Sequence, residues 1–183
     1  MSIYRSRRNQ VGGASDMKDR NNHNRNNNRN GAQFVDFDYD KFDPNVFMDD
    51  FIPVPVGSER AVASVTVDRD ECTVVSLNGV VGLDNDANAF RTVFMRIYRG
   101  NGNVLRPDNV IYDAYIEIHA EGQNDVVVEP FAHVDDDDNN HRKKKCNKNH
   151  DDGETTYTLT LEADGADVFL VGPLTFTAMA VNK

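Results

Sequence analysis

The stretch TTYTLTLEAD, residues 155–164, alternates without a break: Tyr157, Leu159 and Leu161 fall on one side of an extended chain, and Thr156, Thr158 and Thr160 on the other. Strand side chains point to opposite faces in turn, so this pattern predicts a β-strand with one face on a core. The same period of two recurs to either side of it. Ala61, Ala63, Val65 and Val67 share a face, and so do Thr73, Val75, Leu77, Gly79, Val81 and Leu83. In FRTVFMRIYRG, residues 90–100, Val93, Met95 and Ile97 lie on one side and Phe90, Phe94 and Tyr98 on the other. Both sides are apolar, which predicts a central strand or one covered by another subunit.

The turn GNGN at residues 100–103 predicts a hairpin. Beyond it, Ile116, Ile118 and Ala120 are expected inward, with Tyr115, Glu117 and His119 outward. DVVVEPFAHV, residues 125–134, reads as a further strand, and ADVFLVGPLTFTAMAV, residues 166–181, as two short strands broken at Gly172 and Pro173. Eight or nine short strands with no helical period predict an all-β fold, an antiparallel β-sandwich of jelly-roll type.

The 183 residues are long enough for one such domain and some additional chain. Residues 1–31 are rich in Asn and Arg and nearly free of apolar side chains, too few to offset chain entropy, and read as a disordered arm. Residues 32–58 read as an extended connector. Within it, FVDFDYDKFDPNVFMDDF alternates aromatic and acidic residues, as either a strand or a segment that docks on a partner, and Pro53 and Pro55 follow. Residues 59–183 form the predicted sandwich, with DDDDNNHRKKKCNKNHDDGE, residues 135–154, as a charged loop insertion whose opposite charges can pair within the loop.

The net charge of −10 is unevenly spread. The arm holds seven positive side chains against Asp16 and Asp19, leaving a strongly acidic body. A basic arm on an acidic body suits contact between neighbouring copies, whereas nucleic acid would be repelled by the body. No run approaches the roughly 20 apolar residues of a membrane span, and no apolar segment follows the basic start, so neither membrane insertion nor secretion is expected.

Catalytic patterns are wanting. No serine sits in a nucleophile elbow, no phosphate loop is present, and His119 lies among acids. The loop LDNDANA, residues 83–89, offers Asp84, Asn85, Asp86 and Asn88, with alanines interrupting any calcium ligand set. His133, His141, Cys146 and His150 reach the count for zinc, but lysines crowd Cys146 and no paired ligand motif occurs. No cofactor and no metal site is expected. Cys72 and Cys146 are too few for a disulfide framework and remain candidates for cross-links between chains.

Two segments carry a resemblance. VFMRIYRGNG, residues 93–102, and GPLTFTAMAV, residues 172–181, resemble the strand-turn and closing segments of exosporium and spore-coat structural proteins of Bacillus-like spore formers, the exosporium protein C-like group, over about residues 60–181. The resemblance implies a non-enzymatic building block, made in the mother-cell cytoplasm without a signal peptide and placed on the spore surface. It further implies self-assembly and contact with other spore-surface proteins. The subunit contacts expected on this reading are Phe34, Phe37, Tyr39, Phe94 and Tyr98. The alternative is a calcium- or carbohydrate-binding sandwich module with Tyr98, Tyr112 and Tyr115 as its aromatic platform.

Overall fold

The computed structural model describes residues 32–42, 51–69, 73–100, 105–120, 126–136 and 153–182. The expected arm, most of the charged insertion, the turn at residues 101–104, Cys72 and Cys146 lie outside these residues. Within them are nine strands: β1 (Gln33–Phe42), β2 (Ile52–Pro53), β3 (Arg60–Arg69), β4 (Thr73–Asn85), β5 (Arg91–Gly100), β6 (Val110–Ile118), β7 (Val127–Asp135), β8 (Gly153–Ala163) and β9 (Val168–Asn182). A 3-10 turn, Pro107–Asn109, leads into β6. No helix among the described residues is long and apolar enough to cross a membrane.

Two antiparallel sheets pack face to face. The first has the order β1-β9-β4-β7, with β2 added to one end of β9, and the second the order β3-β8-β5-β6. Apart from the β5–β6 pair, successive long strands pass from one sheet to the other, which is the jelly-roll arrangement.

The period of two explains the core. Ala63, Val65 and Val67 of β3, Val75, Leu77, Val81 and Leu83 of β4, and Val93, Met95 and Ile97 of β5 face inward, meeting Tyr157, Leu159 and Leu161 of β8. From β9 come Leu174, Phe176, Ala178 and Ala180. Each large side chain removed from water contributes roughly 1.5–3 kcal/mol, so this one cluster supplies the main drive for folding.

Several side chains depart from the simple alternation, each for a local reason. Ala61 is exposed because the β3–β8 register shifts between Ala61 and Ala63 and turns it over. Ala120 lies beyond the end of β6 and is exposed. Thr158 and Thr160 point outward yet are buried, since β8 is flanked by β3 and β5 and covered by charged side chains described below.

Strand β9 is continuous through Gly172 and Pro173 rather than broken into two. The irregularity is absorbed beside it, where the β4–β9 register shifts between Val81 and Leu83. Gly172 adopts φ 86°, and Gly82 stands so close to its carbonyl that a Cβ at residue 82 would overlap the Gly172 backbone.

The sandwich also begins earlier than the sequence suggests. β1, expected as part of a connector, pairs with β9 along most of its length, from Gln33 opposite Asn182 to Phe42 opposite Leu174.

Candidate functional site

Because β1 lies at the border of the first sheet, its inner side meets the open edge of β3 instead of the apolar core. An edge strand leaves every second backbone N–H unpaired, and inward side chains of a strand also recur every second residue. The acids of DFDYD match that spacing. Ser64 N–H donates to Asp40 Oδ2 at 3.0 Å, Thr66 N–H to Asp38 Oδ2 at 2.7 Å and Asp68 N–H to Asp36 Oδ2 at 3.0 Å. Three carboxylates thus occupy the hydrogen-bonding positions of a missing neighbour strand. Asp38 Oδ1 also accepts from the Tyr39 N–H at 2.9 Å.

Asp38→Ala is expected to cost about 1 kcal/mol, the net worth of one such bond at a half-buried position. Its specific signature is faster amide exchange at Thr66, read residue by residue by NMR. An unchanged Thr66 rate would show that the carboxylate does not protect this edge.

With the acids turned inward, the aromatic residues of β1 turn out. Phe34, Phe37 and Tyr39 share the outer face of the first sheet with Met179 of β9 and Val128 and Val134 of β7, and each of the six is between 41 and 58% exposed. The Phe37 and Tyr39 rings stack at 6.1 Å. The middle of the same face mixes polar and apolar residues: Ser76 and Asn78 stand between Val74 and Val80 on β4, and Thr175 and Thr177 share β9 with Met179 and Val181. Within the sheet, Asn78 Nδ2 donates to Ser76 Oγ at 3.1 Å, and Thr177 Oγ1 to the Asn78 backbone carbonyl at 3.1 Å. Among the described residues placed outward on β1, β9, β4 and β7, the charged side chains are Lys41 and, at the far end of β4 opposite Phe169, the buried Asp84.

The outer face of the second sheet differs. Arg96 pairs with Glu59, Glu162 and Asp113, and its guanidinium lies over the Phe94 ring at 5.5 Å. Thr160 Oγ1 donates to Glu59 Oε2 at 3.0 Å and Tyr98 OH to Glu59 Oε1 at 2.8 Å. Burial opposes the charge of Arg96, but the Glu162, Glu59 and Asp113 carboxylates outweigh it and hold the guanidinium protonated beyond its ordinary range.

The predicted contact residues therefore divide. Phe34, Phe37 and Tyr39 come together on the first sheet, while Phe94 and Tyr98 sit on the opposite one. Tyr98 is only 7% exposed, closed beneath the Glu59 network, and offers little surface to a second copy. Of the tyrosines expected as a carbohydrate platform, Tyr115 alone is freely exposed, at 68%, whereas Tyr112 packs against Phe131 and His133.

Burial and the Glu59 carboxylate push the Tyr98 hydroxyl up to about 12. The folded state thus keeps its proton where the unfolded chain, near 10, loses it. The stability that follows is fully present below pH 10 and is lost as pH rises through 12. A loss of about 2 kcal/mol between pH 10 and 12 is expected, seen as unfolding that accompanies tyrosinate absorbance. In Tyr98→Phe that slope should be shallower, and a wild-type fold equally stable at pH 10 and 12 would contradict the assignment.

At one end of the sandwich, Asp135 joins the two sheets. Its carboxylate, on β7, is bonded to Arg69 of β3, accepts from Arg99 Nη1 of β5 at 3.0 and 3.2 Å, and accepts from Tyr157 OH of β8 at 2.9 Å. Burial first, then the Asp135 charge, raise the Tyr157 hydroxyl far above its ordinary range. The first residue of the charged insertion thus belongs to the fold itself.

The loop considered for calcium is a closed turn. Asn85 Oδ1 accepts from the Ala87 N–H, and its Nδ2 donates to the Ala89 and Ile118 carbonyls. Among the described residues, no group of three or more His, Cys, Asp or Glu side chains is placed to hold a metal. His133 packs on the Tyr112 ring, and the other residues weighed for zinc, His141, Cys146 and His150, lie outside the described residues.

No protein-family model and no curated protein matches the chain. Among solved structures it is similar to a chain of the "Structure of infectious bursal disease virus Gt strain", with a TM-score of 0.39 and 11% identity over 85% of this chain and 38% of that one. The chain thus spans well under half the length of that structure's chain.

Proposed function

We propose that this chain is a non-enzymatic structural protein that self-assembles through its β-sandwich and N-terminal arm, at the surface of a bacterial spore as part of exosporium, coat or appendage. The observation that carries the assembly reading is the outer face of the first sheet, which exposes Phe34, Phe37, Tyr39, Met179, Val128 and Val134 on a chain of net charge −10. Large apolar side chains gathered on one exposed face mark interaction sites. The spore location rests on the resemblance of residues 93–102 and 172–181 to exosporium and spore-coat structural proteins, and other proteins of that surface are then its further partners.

Two measurements test the reading. Antibody labelling of sectioned spores should mark an outer layer, and label confined to the mother-cell interior would overturn the location. Light scattering should show concentration-dependent particles for the full chain, and a shift to smaller particles when residues 1–31 are deleted. The deletion must stop there, because removing β1 would open the edges of β3 and β9. Full-chain protein that stays monomeric at all concentrations would overturn self-assembly.

A further inference from the structure

We infer that β1 is an exchangeable strand: the seat it fills, between the edges of β9 and β3, is also the docking site for the β1 of a second copy of this chain. This deepens the assembly reading and rests on it, naming the partner and the segment that joins the copies.

β1 is held from outside the core. None of residues 33–41 is buried and none belongs to the core cluster; β1 pairs with β9 through its backbone, and Asp36, Asp38 and Asp40 accept from the β3 edge. An element with few buried apolar contacts opens at a lower free energy than the strands of a core. When β1 leaves, the apolar cluster between the two sheets keeps all of its members.

The chemistry of the vacated seat selects what enters it. It offers the edge of β9 and, at every second residue of β3, the N–H groups of Ser64, Thr66 and Asp68, so the strand that suits both carries an acceptor on alternate side chains. Asp36, Asp38 and Asp40 are the only place in the 183 residues where three acids stand at successive alternate positions. The matching strand is therefore β1, and a second copy brings the same one. It also brings the segment before it: residues 1–31 hold seven positive side chains against Asp16 and Asp19, a charge drawn to the acidic body of a neighbour.

Chain length allows the move. Phe42 stands opposite Leu174 and Ile52 opposite Leu170, four residues apart on β9 and so about 13 Å. Nine residues separate Phe42 from Ile52 and span at most about 33 Å, so β2 can keep its place while β1 reaches an edge roughly 20 Å beyond its own. Own and exchanged seatings make the same contacts. The tether favours the chain's own seat, at an effective concentration on the order of millimolar, and exchange sets in where copies are crowded to about that level.

The test uses two full-length variants, Lys41→Cys and Thr175→Cys, residues that face each other across β1 and β9 and whose replacement leaves the six exposed apolar side chains of that face in place. Neither variant can form the 41–175 link within one chain. Mixed at about 1 mM and oxidised, they are expected to give that link at least about tenfold above the 41–132 link formed when Ala132→Cys, exposed at the opposite border of the sheet, replaces Thr175→Cys. Mass spectrometry of linked peptides makes the reading, which sets aside any bond made by Cys72 or Cys146. The double variant Lys41→Cys with Thr175→Cys, expected to link within one chain when dilute, verifies fold and pairing. If it links while the mixture gives no more 41–175 than 41–132, strand exchange is overturned and self-assembly through another surface stands. A double variant that folds without linking would overturn the seating of β1 and the exchange with it, and a wild-type chain monomeric throughout would overturn the exchange and the assembly reading together.

Discussion

Asp135→Ala is expected to lower stability by about 3–5 kcal/mol, the cost of breaking a buried ion pair from one side. The carboxylate is 6% exposed, and the donors around it come from three strands of the opposite sheet. Its loss removes a buried acid from beside the buried guanidinium of Arg69 and the acceptor of the Tyr157 hydroxyl. For a domain of this size the melting temperature should fall on the order of 10 °C. The triple variant Arg69→Met, Asp135→Leu and Tyr157→Phe should recover much of the loss, since apolar replacement of a buried ion pair together with the hydroxyl bonded to it is often neutral. Thermal unfolding followed by circular dichroism measures both. A loss under about 1 kcal/mol in the single variant would mean the cluster is not a structural tie.

Gly82→Ala is the other change with a large expected effect, about 3 kcal/mol or more, because overpacking against backbone cannot be relieved by rotating a side chain. The added methyl meets the carbonyl of Gly172, and Gly172 holds a positive φ that fixes where that carbonyl points. Relief would require β4 and β9, adjacent central strands, to separate at their register shift. Gly153→Ala is the matched control, since nothing lies within 4 Å of its added carbon. It should change stability by less than about 0.5 kcal/mol. Equal melting temperatures for the two variants would show that the close approach at Gly82 is not needed.

What the sequence disclosed depended on whether a residue's environment follows from its own strand. TTYTLTLEAD revealed its inward side because β8 lies in the middle of a sheet over a core, where alternation and burial coincide. The same rule failed at Ala61, where one extra residue in the pairing reverses the alternation, and no residue type marks the bulge. Tyr98 looked like an outer-face aromatic and is one. Its burial comes from Glu59, almost forty residues away in sequence, which reaches across β8 and β5. Asp135 could not be distinguished from the acids that follow it, because its partners are brought together only by strand order.

The acids of DFDYD were visible from the outset, but their direction was not. An alternation of aromatic and acid normally puts the aromatic side inward, and here it is reversed because β1 faces an edge. That reversal leaves Phe34, Phe37 and Tyr39, which the sequence reading offers as subunit contacts, exposed on the outer face, while the part played by the acids went unread. Three carboxylates on one side of a strand are the readable signal, once an open edge is known to lie opposite.

The carboxylate ladder also decides what the β3 edge can do while the fold is intact. Cross-β fibres lengthen by adding strands to edges, with a repeat of about 4.7 Å along the growth axis. With Asp36, Asp38 and Asp40 on the N–H groups of Ser64, Thr66 and Asp68, a foreign strand finds those donors already taken and can pair there only after β1 has left. The same acids that hold β1 down therefore act as a guard on the second sheet.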